Sequence, residues 1–293
     1  MALKAKAALL TACLFWAASF IATKIALSSV PPITVVSLRL IISAICFIVW
    51  MYIRGEKFNI FTRSNILPLL LLSLFGSGLH YAVQTIGLQY TTAAKGGIYA
   101  VTAPITIIII AAIFLKEKIT IRKVAGVIIA LLGVLIVMGF DTILEFNLRG
   151  NLLGDLLVLI SIVMWGIFTV LGKSITSKIS ALKMTAAITI IGAIYMIPAG
   201  ILEMRSKSFS LVSINSDAWL SILFLGITCS FLATLLYVYA LTTSESQKVG
   251  VYLYTVPPMT QLIAFLVLNE AVGLSLLAGS AIVISGLYLT EKG

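Results

Sequence analysis

The hydrophobic pattern of the chain is a series of long apolar runs separated by short polar connectors. A run of about 18 or more apolar residues is long enough to cross about 30 Å of hydrocarbon as an α-helix. The connectors contain turn residues and leave no stretch for a water-soluble domain. The pattern predicts an all-α integral membrane protein with ten transmembrane helices, at about residues 5–27, 33–53, 65–87, 94–114, 121–140, 153–172, 181–203, 218–240, 248–268 and 273–290.

The second half of the chain repeats the first. A shift of 153 residues places Pro104 on Pro257 within an apolar run and Glu117 on Glu270 at its close. The same shift pairs Lys95 with Lys248, Gly97 with Gly250, Tyr99 with Tyr252, Thr102 with Thr255, Leu115 with Leu268, Gly126 with Gly279 and Gly133 with Gly286. We interpret this as a duplication into repeats 1–140 and 141–293. Each repeat has five predicted spans, an odd number, so the two repeats are predicted to be inverted relative to each other.

The composition and charge agree with this pattern. The chain is 61% hydrophobic and 10% charged, and its mean hydropathy is +1.16. The net charge of +10 does not predict a nucleic-acid partner, because the Lys and Arg residues lie in short loops between apolar runs. With the N-terminus in the cytoplasm, the cytoplasmic side carries 14 of the 20 Lys and Arg residues and the other side carries 5. The positive-inside rule therefore predicts that both termini are cytoplasmic.

Two segments carry a resemblance to a known family. They are GLQYTTAAKGGIYAVTAPITIIIIAAIFLKEKIT at residues 87–120 and YALTTSESQKVGVYLYTVPPMTQLIAFLVLNEAVG at residues 239–273. Together with the duplication and the span number, they resemble the paired repeats of the EamA family within the drug/metabolite transporter superfamily. The resemblance covers essentially the whole chain. It implies a bacterial cytoplasmic-membrane transporter of small organic solutes, with a central cavity lined mainly by spans 1, 3, 4, 6, 8 and 9, and it does not name the solute.

Aromatic and polar side chains inside the predicted spans are the candidates for solute binding. Trp normally sits at the membrane surface, whereas Trp16 and Trp165 lie near the centres of the first and sixth spans, which favours a cavity wall over ordinary packing. A polar stripe at i, i+4 and i+7 recurs on the fourth and ninth spans, and such a stripe should face protein or water. The candidate residues are Trp16, Ser19, His80, Gln84, Tyr99, Thr102, Trp165, Tyr237, Tyr252 and Thr255.

Structural interpretations of the same residues stay open. The stripe lysines Lys95 and Lys248 could snorkel to the interface, the tyrosines could serve helix packing, and His80 could be a satisfied structural histidine. Pro104 and Pro257 are predicted to break their helices, because proline has no N–H and frees a carbonyl at mid-depth.

Other charged and small residues have predicted structural roles. Arg39, about two turns into the second span, is expected to snorkel to the surface, with contact to a substrate anion as the alternative. Glu117 and Glu270 are expected to cap the first turn of the helix that follows each of them. The glycine pairs at 126 and 133 and at 279 and 286 are expected to allow close helix approach.

The sequence argues against catalysis and against a bound cofactor. Gly172-Lys173-Ser174 resembles the tail of a phosphate-binding loop, but Ile167 stands where the first glycine is required. The acidic residues lie at span ends or in loops, and one His with three scattered Cys (Cys13, Cys46 and Cys229) forms neither a metal motif nor a disulfide framework.

These observations predict a secondary transporter that moves a small polar or amphipathic metabolite, such as an amino acid, by alternating access. A multidrug or organic-cation exporter and a passive channel are the alternatives. The expected partners are the solute and the lipid bilayer, with no nucleic acid, and a homo-oligomer is left open. His80 is the one group in the hydrophobic depth that titrates near neutral pH in its unperturbed state, so transport is predicted to be facilitated diffusion or proton-coupled through His80.

Overall fold

The computed structural model describes residues 1–138, 152–268 and 274–293, and every regular element in these ranges is helical. The α-helices are α1 (Leu3–Leu27), α2 (Pro32–Ile53), α3 (Ile66–Gly76), α4 (Gly78–Tyr90), α5 (Ala93–Ala100), α6 (Ala103–Phe114), α7 (Ile121–Met138), α8 (Leu152–Ile175), α9 (Ala181–Ser206), α10 (Ser216–Phe224), α11 (Thr234–Thr243), α12 (Ser246–Gly250), α13 (Val256–Leu268) and α14 (Leu274–Lys292). A π-helix, Leu225–Ala233, joins α10 to α11, and the 3-10 segments Leu211–Ser213 and Val251–Thr255 precede α10 and α13.

Eight helical stretches in the described residues are long and apolar enough to cross a membrane. They are Leu3–Leu27, Pro32–Ile53, Ile66–Tyr90, Ile121–Met138, Leu152–Ile175, Ala181–Ser206, Ser216–Thr243 and Leu274–Lys292. These stretches coincide with eight of the ten predicted spans. The predicted fourth and ninth spans are each divided into shorter pieces, so the count of ten crossings stays a prediction.

The fourth and ninth spans are interrupted close to their prolines. α5 ends at Ala100 and α6 begins at Ala103, with Pro104 in its first turn, where a missing N–H breaks no helical hydrogen bond. In the ninth span, α12 passes through the 3-10 segment Val251–Thr255 before α13 begins, and Pro257 lies in the first turn of α13. Each proline thus starts a new helix in the interior of the bundle.

Two threonines at corresponding positions donate hydrogen bonds to carbonyls at these interruptions. The Thr102 hydroxyl donates to the Tyr99 carbonyl at 2.8 Å, and the Thr255 hydroxyl donates to the Tyr252 carbonyl at 2.7 Å. The Tyr99 carbonyl also accepts from the Thr102 N–H at 2.9 Å, so the hydroxyl adds a second hydrogen bond to this carbonyl. The polar stripe therefore serves, in part, the backbone of its own helix.

The third and eighth spans are continuous but irregular. Ser77 separates α3 from α4, with backbone angles outside the helical region (φ −139°, ψ −111°). The Tyr195 hydroxyl of α9 lies at this point, donating to the Ser73 carbonyl at 3.0 Å and accepting from the Leu79 N–H at 3.1 Å. The corresponding part of the eighth span is the π-helix Leu225–Ala233, a rare geometry that often occurs at functional sites.

Helices from the two halves of the chain pack against one another. α1 packs against α10, the π-helix and α11, whereas α8 packs against α3 and α4. Likewise α2 packs against α9, and α7 packs along α14. The helices between residues 152 and 293 therefore provide the main partners of those between residues 3 and 138.

The two ends of the bundle are named here after α1. The α1 C-terminal end also contains the end of α4 and the starts of α5 and α8, since Lys24 contacts the Leu88 carbonyl and Thr91 contacts Asp155. The α1 N-terminal end also contains the starts of α7 and α12 and the ends of α8, α11 and α14.

A glycine seam joins α7 to α14. It consists of Gly126, Gly133, Gly279 and Gly286. A methyl group placed on Gly133 would lie 2.7 Å from the Val283 nitrogen and 2.8 Å from the Gly279 carbonyl oxygen. Two backbones can approach this closely only where side chains are missing. The prediction of close helix approach at these glycines is confirmed.

Gly133→Ala should lower the thermal stability of the detergent-solubilised protein by several degrees. The added methyl group meets backbone atoms of α14 that cannot rotate away, and overpacking of this kind costs about 1–3 kcal/mol. Gly97→Ala is the matched control, because a methyl group there meets nothing within 4 Å and gains helix propensity of up to about 1 kcal/mol. Equal unfolding temperatures for Gly133→Ala and the wild type would contradict the seam.

Candidate functional site

A cavity of about 100 Å³ lies between the two halves. It is lined by Trp16, Ser19, Phe20, Arg39, His80, Tyr81, Gln84, Ala100, Val101, Ala103, Ile162, Trp165, Leu253, Val256 and Pro257. These residues come from spans 1, 2, 3, 4, 6 and 9 of the predicted set, and they include both interrupted regions. The cavity therefore lies beside the interruptions of the fourth and ninth spans, and the eighth span contributes no residue to the described lining.

An aromatic layer forms the floor of the cavity. The indole rings of Trp16 and Trp165 meet edge to face, with centroids 5.1 Å apart and planes at 85°. The Tyr237 ring lies 5.3 Å from each of them, is fully buried, and its hydroxyl is 3.0 Å from that of Thr169. Trp16 also donates from its indole N–H to the Cys229 carbonyl in the π-helix at 3.3 Å. We refer to Trp16, Trp165 and Tyr237 as the aromatic layer.

The cavity lies on one side of this layer. Ser19 and Phe20 follow Trp16 toward the end of α1, and Ile162 precedes Trp165 in α8. Both directions lead to the α1 C-terminal end. On the opposite side, apolar side chains at the start of α1, including Leu9 and Cys13, belong to the same buried cluster as Val249 and Tyr254 of the ninth span. The α1 N-terminal end is therefore closed by direct packing.

The structure brings together about half of the predicted solute-binding residues. Trp16, Ser19, His80, Gln84 and Trp165 all line the cavity, and Pro257 lines it beside the second interruption. Tyr237 contacts both indole rings from below.

The stripe residues are placed elsewhere. Tyr99, Thr102, Tyr252 and Thr255 do not occur in the described lining of this cavity, and neither does Pro104. Thr102 and Thr255 bond their own helices, as described above, and Thr102 is exposed on the bundle surface. Helical spacing predicted that these residues share a face, but it could not predict which neighbour that face meets.

The two stripe tyrosines each contact a carboxylate, at opposite ends of the bundle. Tyr99 interacts with Asp155, which also accepts from Thr91 at 2.6 Å and from Lys95 at 3.1 Å. Asp155 stands in the first turn of α8, where a carboxylate is favoured by the helix dipole. These contacts tie the start of α5 to the start of α8.

The corresponding contact in the second half uses a different acid. The Tyr252 hydroxyl donates to Glu291 near the end of α14, and Lys6 of α1 donates to the other oxygen of the same carboxylate. This cluster lies at the α1 N-terminal end. In the first half, Lys95 pairs with Asp155, which belongs to the second half. Neither Lys95 nor Tyr99 is part of the described cavity lining.

His80 is buried in the cavity wall. Its ring lies 5.3 Å from that of Trp165 and 5.1 Å from that of Tyr81, and it is 4% exposed. Its Nδ1 is 2.9 Å from the Ser161 carbonyl oxygen. Because a carbonyl only accepts, Nδ1 carries a hydrogen, so a neutral imidazole makes this bond without a second proton.

The expectation that Arg39 snorkels to the surface is wrong. Its side chain is 2% exposed and lines the cavity, where Nε donates to the Ser230 hydroxyl at 2.9 Å. The guanidinium carbon lies 3.9 Å from the centre of the Tyr81 ring. The sequence contained no signal for this arrangement, because it depends on Ser230, which lies 191 residues away in the π-helix.

The expectation that Glu117 caps the next helix is also wrong. Its carboxylate accepts from the backbone N–H groups of Ser246 at 2.9 Å and Gln247 at 3.2 Å, and so caps α12 in the other half. The start of α7 is capped instead by the Thr120 hydroxyl, which accepts from the Lys123 N–H at 3.2 Å. Glu270, the predicted counterpart of Glu117, lies outside the described residues.

An ion pair strengthens the contact made by Glu117. Lys123 is nearly fully buried and donates to Glu245 at 2.6 Å, just before α12 begins. Burial acts to raise the pKa of Glu245, but the hydrogen bond and charge of Lys123 outweigh it and hold that pKa below its ordinary value. The two carboxylates together fasten the α6–α7 connection to the start of the ninth span.

Within the part of the chain that the structure describes, no three His, Cys, Asp or Glu side chains are grouped so that they could hold a metal ion. Cys13, Cys46 and Cys229 are free thiols, two of them fully buried in apolar surroundings. The described cavity lining offers aromatic faces, an imidazole, an amide and one guanidinium.

Comparison with known proteins identifies the family. The model of the EamA-like transporter family matches residues 3–139 and again residues 152–291. An uncharacterized transporter of Archaeoglobus fulgidus is 32% identical over 94% of this chain and 93% of its own length. An uncharacterized transporter of Bacillus subtilis, YvbV, is 27% identical over 98% of this chain and 92% of its own length.

Two further similarities concern fold and substrate. A solved crystal structure has a TM-score of 0.78 over 98% of this chain and 96% of its own, at 20% identity, which shows a shared fold. The S-adenosylmethionine/S-adenosylhomocysteine transporter of Chlamydia muridarum is 25% identical over 67% of this chain and 60% of its own length. With family matches over both halves and transporters as full-length relatives, this chain belongs to the EamA-like transporter family and is a multi-pass membrane transporter, not an enzyme.

Proposed function

We propose that the chain is a secondary transporter that moves a small polar or amphipathic metabolite by alternating access between two inverted five-helix repeats. The observation that carries this proposal is the aromatic layer at the floor of the cavity. One indole comes from each half, Trp16 from α1 and Trp165 from α8, and they meet at 5.1 Å between centroids. A solute held above this layer is in contact with both halves, so relative movement of the halves changes its access.

Matched contacts at the two ends of the bundle support an inverted repeat. Lys24, near the end of α1, donates to the Leu88 carbonyl at 2.7 Å, at the α1 C-terminal end. Lys173, near the end of α8, donates to the Leu241 carbonyl at 2.7 Å, at the α1 N-terminal end. Each lysine therefore makes the same kind of bond to another helix of its own half, and the two bonds lie at opposite ends of the bundle. Such a relation is what two inverted copies of one design produce.

The position of the cavity on one side of the aromatic layer supports alternating access. In this conformation the solute site lies on the α1 C-terminal side of the aromatic layer, and the α1 N-terminal side is fastened by Glu117 and by the Lys123–Glu245 pair. An inverted repeat can exchange these two arrangements at little difference in energy. A passive channel is disfavoured, because the aromatic layer and the packed cluster below it interrupt the path.

The proposed orientation places the protein in the bacterial cytoplasmic membrane with both termini in the cytoplasm. The α1 C-terminal end, and with it the cavity, then faces outward. The Chlamydia relative named for S-adenosylmethionine and S-adenosylhomocysteine supports a small organic metabolite as the class of solute.

Cysteine labelling from each side of the membrane tests the inverted repeat. In a cysteine-free background, single cysteines at Lys95 and Glu270 should react with an impermeant maleimide added outside, whereas cysteines at Glu117 and Lys248 should react only from inside. The reason is the odd number of spans in each repeat, which puts corresponding residues on opposite sides. Labelling of positions 117 and 270 from the same side would contradict the proposal.

Transport is proposed to be facilitated diffusion down the solute gradient, with proton coupling through His80 as the alternative. His80→Gln keeps a polar side chain of similar size but does not titrate. Under facilitated diffusion, proteoliposomes containing either protein should take up solute equally between about pH 5.5 and 8, and an imposed pH difference should not accelerate uptake. Proton-driven accumulation in the wild type that is lost in His80→Gln would establish the alternative. Accumulation that survives the substitution would contradict both.

A further inference from the structure

Arg39 is a buried cation whose charge has no acidic partner in the described part of the chain. The ion pairs between described residues are Lys6–Glu291, Lys95–Asp155, Lys123–Glu245, Lys183–Glu56 and Lys207–Glu203. Arg39 belongs to none of them, although it is 2% exposed and lies about two turns into α2. Its contacts there are the Ser230 hydroxyl and the face of the Tyr81 ring.

The buried charge of Arg39 has a cost in free energy that some interaction must offset. Intramembrane cations are costly unless they are paired, face water or serve a solute path. One hydroxyl and one aromatic face compensate only part of the lost hydration. The described cavity lining contains Arg39 but no Asp or Glu. The cavity therefore carries an unbalanced positive charge at its wall.

A structural role alone does not require this charge. Arg39 joins α2 to the irregular π-helix of the eighth span, through Ser230. In the other half, α9 makes the comparable contact with the irregular point of the third span through the neutral hydroxyl of Tyr195, which bonds Ser73 and Leu79. Each contact joins a helix of one half to the irregular segment of a span in the other half, but only the contact in the cavity wall uses a cation.

We propose that Arg39 binds a carboxylate of the transported solute. This inference rests on the proposed function, because it names the class of solute that the same cavity takes. Ser230 holds Nε, so the two terminal nitrogens form the binding edge, and their planar pair matches the two oxygens of a carboxylate. The Tyr81 ring, 3.9 Å from the guanidinium carbon, keeps that edge oriented.

The remainder of the solute contacts the aromatic layer. The indole faces of Trp16 and Trp165 suit an apolar or aromatic body, and they tolerate an ammonium group by cation–π attraction. Arg39 repels organic cations that lack a carboxylate. The solutes assigned to this site are therefore small organic monocarboxylates, with or without an amino group, and simple organic cations are excluded.

Binding to the purified protein tests the assignment with two matched sets of compounds. The first set shares an isobutyl body: L-leucine, isocaproate, isoamylamine and isoamyl alcohol. The second shares a benzyl body: L-phenylalanine, hydrocinnamate, phenethylamine and phenethyl alcohol. In each set two compounds have the carboxylate and two lack it. The wild type should bind the carboxylate compounds of at least one set about tenfold or more tightly than the others, measured by titration calorimetry in detergent.

Three variants separate binding from folding. Arg39→Gln should lose the preference for carboxylates while its elution as a single species on size exclusion reports folding. Arg39→Lys keeps the charge but loses the planar pair of donors, so its preference should weaken without disappearing. Arg54→Gln removes the same charge from the exposed end of the same helix and should keep the full preference.

The outcomes distinguish this inference from the proposed function. A carboxylate preference that survives in folded Arg39→Gln would overturn it, as would equal binding of amines and carboxylates, or no binding of any carboxylate compound, by the wild type. Uptake of isoamylamine as fast as isocaproate into proteoliposomes would leave the transporter intact and refute the role of Arg39. If a broad panel of amino acids, sugars and organic cations crossed no faster than in protein-free vesicles, the proposed function itself would fail.

Discussion

The fold depends on one constraint: a polar group inside the hydrocarbon must form a hydrogen bond or an ion pair with another polar group. The chain breaks its fourth and ninth spans beside Pro104 and Pro257, and it distorts its third and eighth spans near Ser77 and within Leu225–Ala233. Each irregular point exposes backbone groups that a straight helix would satisfy by itself. Side chains add hydrogen bonds at these points: Thr102 and Thr255 donate to carbonyls of their own helices, and the Tyr195 hydroxyl accepts from the Leu79 N–H across helices.

This constraint also explains the position of the cavity. Irregular backbone is tolerated at membrane depth only where protein or a polar cavity covers it, so the broken helices converge at the bundle centre. The lining contains residues beside both prolines, and the π-helix supplies the Cys229 carbonyl to Trp16 and the Ser230 hydroxyl to Arg39. The glycine seam between α7 and α14 contrasts with this region, because two regular helices contact each other there backbone to backbone.

Much of the architecture could be predicted from the sequence, because the signals were local. Apolar run length located eight of the predicted spans, proline located the two interruptions, and central Trp residues located the floor of the cavity. The contacts between helices could not be predicted in this way. Periodicity placed Tyr99 and Tyr252 on a polar stripe, but Asp155 and Glu291, their partners, come from other helices.

The partners of the charged residues could not be predicted either, because they lie far away in the sequence. Glu117 caps a helix that begins 129 residues later, and Arg39 bonds a serine 191 residues away. From its neighbours in the sequence alone, Arg39 is assigned to the nearest membrane surface and Glu117 to the first turn of the next helix. The duplication could have suggested that the two halves contact each other. The partner of each charged residue, however, depends on how each helix is rotated about its axis, and spans that are apolar on every face do not define that rotation.

The central claim is that solute crosses because the two halves separate at one end of the bundle while they close at the other. The most direct measurement is uptake by a protein whose α1 N-terminal end is locked. Cysteines replace Lys123 and Glu245, whose side chains meet at 2.6 Å, in a background in which Cys13, Cys46 and Cys229 are alanine. A short cleavable bis-thiosulfonate cross-linker then joins the two halves, and the same treatment of cysteines at Thr62 and Ser64, within one loop of the first half, is the control. Alternating access predicts that uptake into proteoliposomes stops on cross-linking of positions 123 and 245, recovers on reduction and is unaffected in the control. Uptake at the full rate by the cross-linked protein would contradict it.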